Sequence, residues 1–276
     1  MTSNLPGRTP ASALHPSAEA VVRTFLDTVD GLRPDLVQGL YLTGSVALGD
    51  FRPGRSDVDF VAVCAWRPGQ DDVAALEEAH RQTRARHERP HFDGIHVTRD
   101  DLAGPPDACP PVPYAYEGSF HTAGDFEVNP VTWAVLARNA VAVRGPAPGT
   151  FPVGVDRTAL TDWARANLDG YWRRWHAAHG GAFSPMGVAA LGGWAPAWAV
   201  LGVSRLHYTV ATGAITSKAG AGSYALQAFG AHWEPIVSEA LRVHRGDPGP
   251  ARVRSPFRRR ADTLGFVSMV IEDCLR

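Results

Sequence analysis

The stretch Asp57-Val58-Asp59-Phe60-Val61-Ala62-Val63-Cys64 limits this chain more than any other. Six of its residues are apolar and rich in β-branched or aromatic types, so it predicts a strand over Asp57–Cys64 with faces that must be covered. The period of two in a strand puts Asp57 and Asp59 on one face, while Val58, Phe60 and Ala62 point inward. A strand of this kind needs partners. Leu40–Thr43 and Phe92–Thr98 predict two more strands, and Ser17–Asp30, with Ser17 as its cap, and Gln70–Arg89 predict helices to cover them. The order of elements is that of a small α/β sheet domain.

At 276 residues the chain has room for one large or two modest domains. Arg144–Gly154, with its Gly-Pro-Ala-Pro-Gly run, is the expected boundary, dividing a leader over 1–16, an α/β domain over 17–154 and a mostly α-helical C-terminal domain over 155–276. Helical periodicity in the latter falls on Asp156–Ala178, Met186–Thr212, Lys218–Phe229, His232–His244 and Ser255–Cys274. Pro130–Asn139 predicts a short helix with Trp133 and Leu136 inward, and Pro105–Pro113 a rigid loop. Met1–Pro16 has no basic head followed by an apolar core, so it reads as a leader without an export signal. The uncharged run Gly181–Ser204 carries Pro185 and Pro196 and is expected as a buried helix, not a membrane span. A formal charge of -1 supplies no general attraction for nucleic acid or membrane. The odd count of 3 cysteines fits no disulfide framework or short-spaced zinc cluster, and points to a reducing, cytoplasmic setting.

Chemistry concentrates between residues 44 and 93. Gly44 permits a close turn, and Ser45 offers a hydroxyl and an N–H to a phosphate. Asp57 and Asp59 together are hard oxygen donors suited to magnesium shared with the phosphate oxygens of a nucleotide, and Asp93 on the third strand is a further candidate ligand. Other conspicuous residues have plainer readings. Trp163, Tyr171, Trp172 and Trp175 suit core packing, His80, His87, His91 and His96 lack metal-ligand spacing, and the arginines between 252 and 260 suit a solvated face.

Gly44-Ser45, Asp57-Val58-Asp59 and Asp93 on successive sheet elements resemble the nucleotidyltransferase superfamily. The wider pattern resembles the aminoglycoside adenylyltransferases that modify streptomycin and spectinomycin. It runs from Leu36 through Tyr41-Leu42-Thr43-Gly44-Ser45 and Ser56-Asp57-Val58-Asp59, resumes at Val141–Pro146, and returns at Ser204-Arg205-Leu206-His207-Tyr208 and Thr212–Lys218. The resemblance implies an N-terminal nucleotidyltransferase domain, a small mixed sheet with flanking helices, ahead of the helical domain. It also implies magnesium-dependent transfer of an adenylyl group from ATP to a hydroxyl of a small molecule, an aminoglycoside or aminocyclitol. By that resemblance Asp57, Asp59 and Asp93 are the catalytic and metal residues. Gly44, Ser45, Arg205 and Lys218, the chain's one lysine, bind the nucleotide between the domains.

Two departures bear on the expectation. Members of the family usually carry Glu where Asp93 stands, one methylene longer. Their acidic stretch before the Ser-Arg signature is here Trp194-Ala195-Pro196-Ala197-Trp198. The alternatives are a nucleotidyltransferase acting on a neutral metabolite or a protein, and a nucleotide-binding regulatory module without turnover.

Overall fold

The computed structural model describes residues 14–181, 185–189 and 191–276. Most of the expected leader lies outside them. By contacts the chain separates into two compact units. Of the described residues, one comprises 14–47, 51–128 and 136–153; the other comprises 48–50, 129–135, 154–181, 185–189 and 191–276.

The first unit is built on a mixed six-stranded sheet. Its elements in chain order are α1 (Pro16–Leu32), β1 (Val37–Leu42), α2 (Gly44–Ala47), β2 (Val58–Cys64), α3 (Gln70–Arg86), β3 (Phe92–Thr98), α4 (Arg99–Ala103), β4 (Val112–Tyr116), β5 (Ser119–Gly124), α5 (Pro130–Arg138) and β6 (Val141–Arg144). The spatial order is β5-β4-β3-β2-β1-β6, with β2 and β3 parallel and every other neighbouring pair antiparallel. Strand β2 is therefore central, as its apolar run demanded. The helix between β2 and β3 is the crossover that a parallel pair requires.

Helix α1 buries Ala18, Val21, Val22, Phe25, Leu26 and Val29, a stripe at three- and four-residue spacing, against a core shared with β1, β2, α3 and β3. Its N-cap is not Ser17. The His15 side chain accepts from the Ser17 N–H at 3.2 Å and the helix starts at Pro16, whose missing N–H costs nothing in the first turn. In the same core His80 on α3 and His96 on β3 meet Nε2 to Nε2 at 3.1 Å, both buried among Phe25, Phe60, Phe92 and Phe120.

The second unit is helical: α6 (Arg157–Asn167), a π-helical turn over Leu168–Trp172, α7 (Arg173–Gly180), α8 (Pro185–Ala189), α9 (Trp194–Thr212), α10 (Lys218–Ala228), α11 (Glu234–Arg245) and α12 (Pro256–Cys274). The expected single helix over Met186–Thr212 is two, α8 and α9. Helix α9 is the hub, with α6, α10, α11 and α12 packed around it. It contributes Ala199, Val200, Leu201 and Val203 to a core completed by Trp172 and Trp175, by Ile236 and Val237 of α11, and by Phe266 and Val270 of α12. Of the expected core aromatics, Trp172 and Trp175 are buried while Tyr171 is exposed. Among the described residues no helix is long and apolar enough to cross a membrane.

Candidate active site

In the sheet unit, β1 ends at Leu42 and the chain turns at once into α2. Gly44 adopts φ +49, and a methyl group built on it would fall 1.8 Å from Asp59 Oδ2, so the carboxylate occupies the space that any other residue would fill. The turn is fixed by the Thr43 N–H, which donates to the Asp59 carbonyl at 2.9 Å. Ser45 follows, its Oγ buried and without a hydrogen-bond partner. Asp59 lies within β2, and Asp57 immediately precedes it.

The parallel register of β2 on β3 sets Asp59 beside Asp93. Gly94 helps to bring the strands together: a Cβ there would lie 2.0 Å from the Phe60 carbonyl oxygen. Asp93 is 5% exposed, and its Oδ2 accepts from the Glu117 N–H at 3.1 Å. Its Oδ1 is buried with no partner. Burial pushes the Asp93 carboxyl up to about 6; repulsion from Asp57 adds to this, and the N–H groups of Glu117 and Gly118 oppose it. Asp57 Oδ1 accepts from Arg89 Nη1 at 3.1 Å and from the His91 N–H at 3.4 Å.

The structure thus brings Gly44, Ser45, Asp57, Asp59 and Asp93 to one part of the sheet. The donors are hard oxygens, and the buried, unpartnered Oδ1 of Asp93 has an acceptor to spare. Among the described residues no group of three or more His, Cys, Asp or Glu side chains is placed to hold a metal ion by itself, Asp57, Asp59 and Asp93 included. A site that depends on phosphate oxygens to complete its shell suits magnesium, which takes one or two carboxylates together with substrate phosphates. The residues fit the ion.

In the helical unit, Arg205 lies on α9 and Lys218 is the first residue of α10, both half-buried. Ser217 caps α10 by accepting from the Gly220 N–H at 3.1 Å, and Lys218 Nζ sits 5.7 Å from the centroid of the Trp198 ring. Asp50 belongs to this unit and is 7% exposed. Its Oδ2 accepts from the Ala219 N–H at 3.0 Å and pairs with His244 Nε2 at 2.8 Å. Nothing in the sequence singled it out, because its partners lie 169 and 194 positions away. Trp194 and Trp198 are 47% and 45% exposed.

Two domain families match the chain in tandem: "Nucleotidyltransferase domain" over residues 22–91, and "Aminoglycoside adenylyltransferase, C-terminal domain" over residues 187–258. The chain belongs to the aminoglycoside nucleotidyltransferase family. The first match contains Gly44, Ser45, Asp57 and Asp59; the second contains Arg205 and Lys218. Among solved structures, spectinomycin adenyltransferase AAD(9) from Enterococcus faecialis, determined with ATP and spectinomycin, is similar with TM-score 0.60 at 13% identity, over 91% of this chain and 99% of that one. At that identity the likeness is one of fold. No curated protein matched. The fold of this aminoglycoside nucleotidyltransferase is the expected one, a nucleotidyltransferase domain with a mixed sheet followed by a helical domain, and the sheet has six strands where three were foreseen.

Proposed function

We propose that the chain transfers an adenylyl group from ATP to a hydroxyl of an aminoglycoside or aminocyclitol, releasing pyrophosphate. The observation that carries this reading is the set Asp57, Asp59 and Asp93 beside the Gly44-Ser45 turn, the first two inside the nucleotidyltransferase match over residues 22–91 and Asp93 just past its end, ahead of an aminoglycoside adenylyltransferase C-terminal domain.

In this reading Asp57 and Asp59 hold magnesium, with Asp93 as a further ligand or as the base for the acceptor. The ion supplies charge neutralisation at the triphosphate. The remaining work falls to the chain. Ser45 presents an unsatisfied Oγ to a phosphate oxygen, and Arg205 and Lys218 neutralise further phosphate charge. Asp93, ionised above about 6, is able to take the hydroxyl proton near neutrality. Three free cysteines, Cys64 buried among them, accord with a reducing cytoplasm.

A second acceptor class is favoured by one observation. Trp194 and Trp198 expose indole surface just before Arg205, where a polycationic drug would gain from carboxylates. A neutral acceptor suits that surface better. Incubating the protein with ATP and magnesium against a panel of aminoglycosides, aminocyclitols and uncharged polyols, read by product mass, tests both readings. An adenylyl mass increment on a member of the panel identifies the acceptor. Asp57→Ala and Asp59→Ala should each abolish the increment while the chain stays folded by circular dichroism; full turnover by either removes the assignment.

A further inference from the structure

Helix α10 begins with the one lysine of the chain, and its first turn is held from outside the helix. The first four N–H groups of a helix have no partner within it. Ser217 satisfies that of Gly220, and the N–H of Ala219 is satisfied by Asp50, 169 residues earlier. The same carboxylate oxygen meets His244 near the end of α11. Asp50 therefore ties together two helices, and it does so with a buried charge placed where the helix dipole favours one. The Ala219 N–H belongs to the peptide that joins Lys218 to Ala219. Pinning it fixes the direction in which the Lys218 side chain leaves the helix. Trp198 then bounds where the ammonium rests, 5.7 Å below it.

We propose that Asp50 is a positioning residue for Lys218, acting through the Ala219 N–H to aim the ammonium at the triphosphate. The proposal rests on the reading of Lys218 as a nucleotide-binding residue. Asp50 touches neither nucleotide nor acceptor in this scheme; it sets the geometry of the group that does. A lysine side chain loses rotamer freedom when it is immobilised on a phosphate, so setting its direction beforehand lowers that cost.

The experiment uses the full chain and exploits its lysine count. Trinitrobenzenesulfonate modifies primary amines, so apart from the terminal amine it reports on Lys218 alone, and peptide mass resolves the two. Wild type, Asp50→Asn, Asp50→Glu, His244→Gln, Lys218→Ala and the Asp50→Asn/Lys218→Ala pair are compared in two assays, the last two in the second assay only. One is the labelling rate of Lys218 with and without ATP; the other is steady-state adenylyl transfer with ATP or acceptor varied.

In Asp50→Asn the labelling rate should change at least threefold and protection by ATP should weaken. The KM for ATP should rise about tenfold, and the acceptor KM should stay within twofold, the scale of one misplaced charged hydrogen bond. Asp50→Glu should restore part of the loss, and His244→Gln should shift labelling in the same direction by less. In the pair, the effect of Asp50→Asn on ATP should disappear, because the group it positions is gone.

A folded Asp50→Asn with wild-type labelling and wild-type ATP KM overturns the proposal, as does an undiminished Asp50→Asn effect in the Lys218→Ala background. If Asp50→Asn fails to fold, unchanged labelling in His244→Gln overturns it. Failure of the wild type to adenylate any acceptor, with ATP-protected labelling intact, would count against the reading of the activity and leave the labelling comparison to judge Asp50.

Discussion

Lowering the pH from 7 to 5 should destabilise the sheet unit through His80 and His96. Burial holds the His80 imidazole down to about 3, and burial together with its neighbour holds His96 well below the ordinary value. In the unfolded chain both titrate near 6.5. A base whose native pKa is depressed binds fewer protons folded than unfolded, so its contribution is complete above 6.5 and is lost as the pH falls toward the native value. At pH 5 the loss is set by the unfolded pKa and is the same for any native value below about 4. One and a half pH units at about 1.36 kcal/mol each come to about 2 kcal/mol for His80, and His96 adds a loss of the same sign. Asp93 works the other way. Raised to about 6, it gains a proton on folding and returns about 1 kcal/mol at pH 5, which the two imidazoles outweigh.

The assay is urea unfolding at pH 7 and pH 5 with EDTA present, followed by circular dichroism and by nuclear magnetic resonance signals of the sheet. Wild type is compared with a His80→Leu/His96→Leu chain. Every other titrating group is common to both, so the difference of differences isolates the imidazoles. The double variant should lose at least about 2 kcal/mol less than wild type between the two pH values. Equal pH dependence in the two chains, or native His80 and His96 ring protons that titrate near 6.5, would refute the reasoning.

Three further outcomes are expected. Gly44→Ala should displace Asp59 and remove activity, whereas Gly49→Ala, with φ +68 but nothing within 4 Å of the new methyl, should cost only the backbone strain of about 1 kcal/mol in urea unfolding. The kcat/KM of the wild type should climb with pH on a limb no higher than about 6, set by Asp93 and lowered by bound magnesium, and this limb should be missing from the residual activity of Asp93→Asn. Glu117 holds φ +48 in the β4–β5 turn, so Glu117→Asn should raise stability by about 0.5 kcal/mol without touching the main-chain N–H that serves Asp93, as thermal melts at fixed pH would show.

That turn also explains where reading the sequence stopped. Two-residue hairpins advertise themselves by Asn-Gly or Asp-Gly. Here Glu117 and Gly118, at φ +48 and +73, make the turn with a glutamate in the left-handed region, and Pro113 breaks the strand pattern ahead of it. Strands β4 and β5 were therefore invisible, and with them the N–H that Asp93 uses. Strand β6 was too short to show a period. The central strand was legible because its burial leaves only one pattern, and the Asp57-x-Asp59 face came with it. The neighbouring of Asp59 and Asp93 is a matter of register between strands, which local periodicity does not encode. The roles proposed for Arg205 and Lys218 rest on resemblance alone, since a lone cation on a helix carries no local mark.

The path of the backbone bears on how members of such a family could exchange halves. Residues 48–50 and 129–135 belong to the helical unit although the residues around them belong to the sheet unit. A crossover at the proline-rich segment near residue 150 would inherit α10 and α11 from one parent and the carboxylate that serves them from the other. Such chimaeras would keep both cores, and would keep the carboxylate beside Ala219 and His244 only where the parent of the first half also carries Asp at position 50. Position 50 is thus a residue outside both apolar cores on which such an exchange would depend.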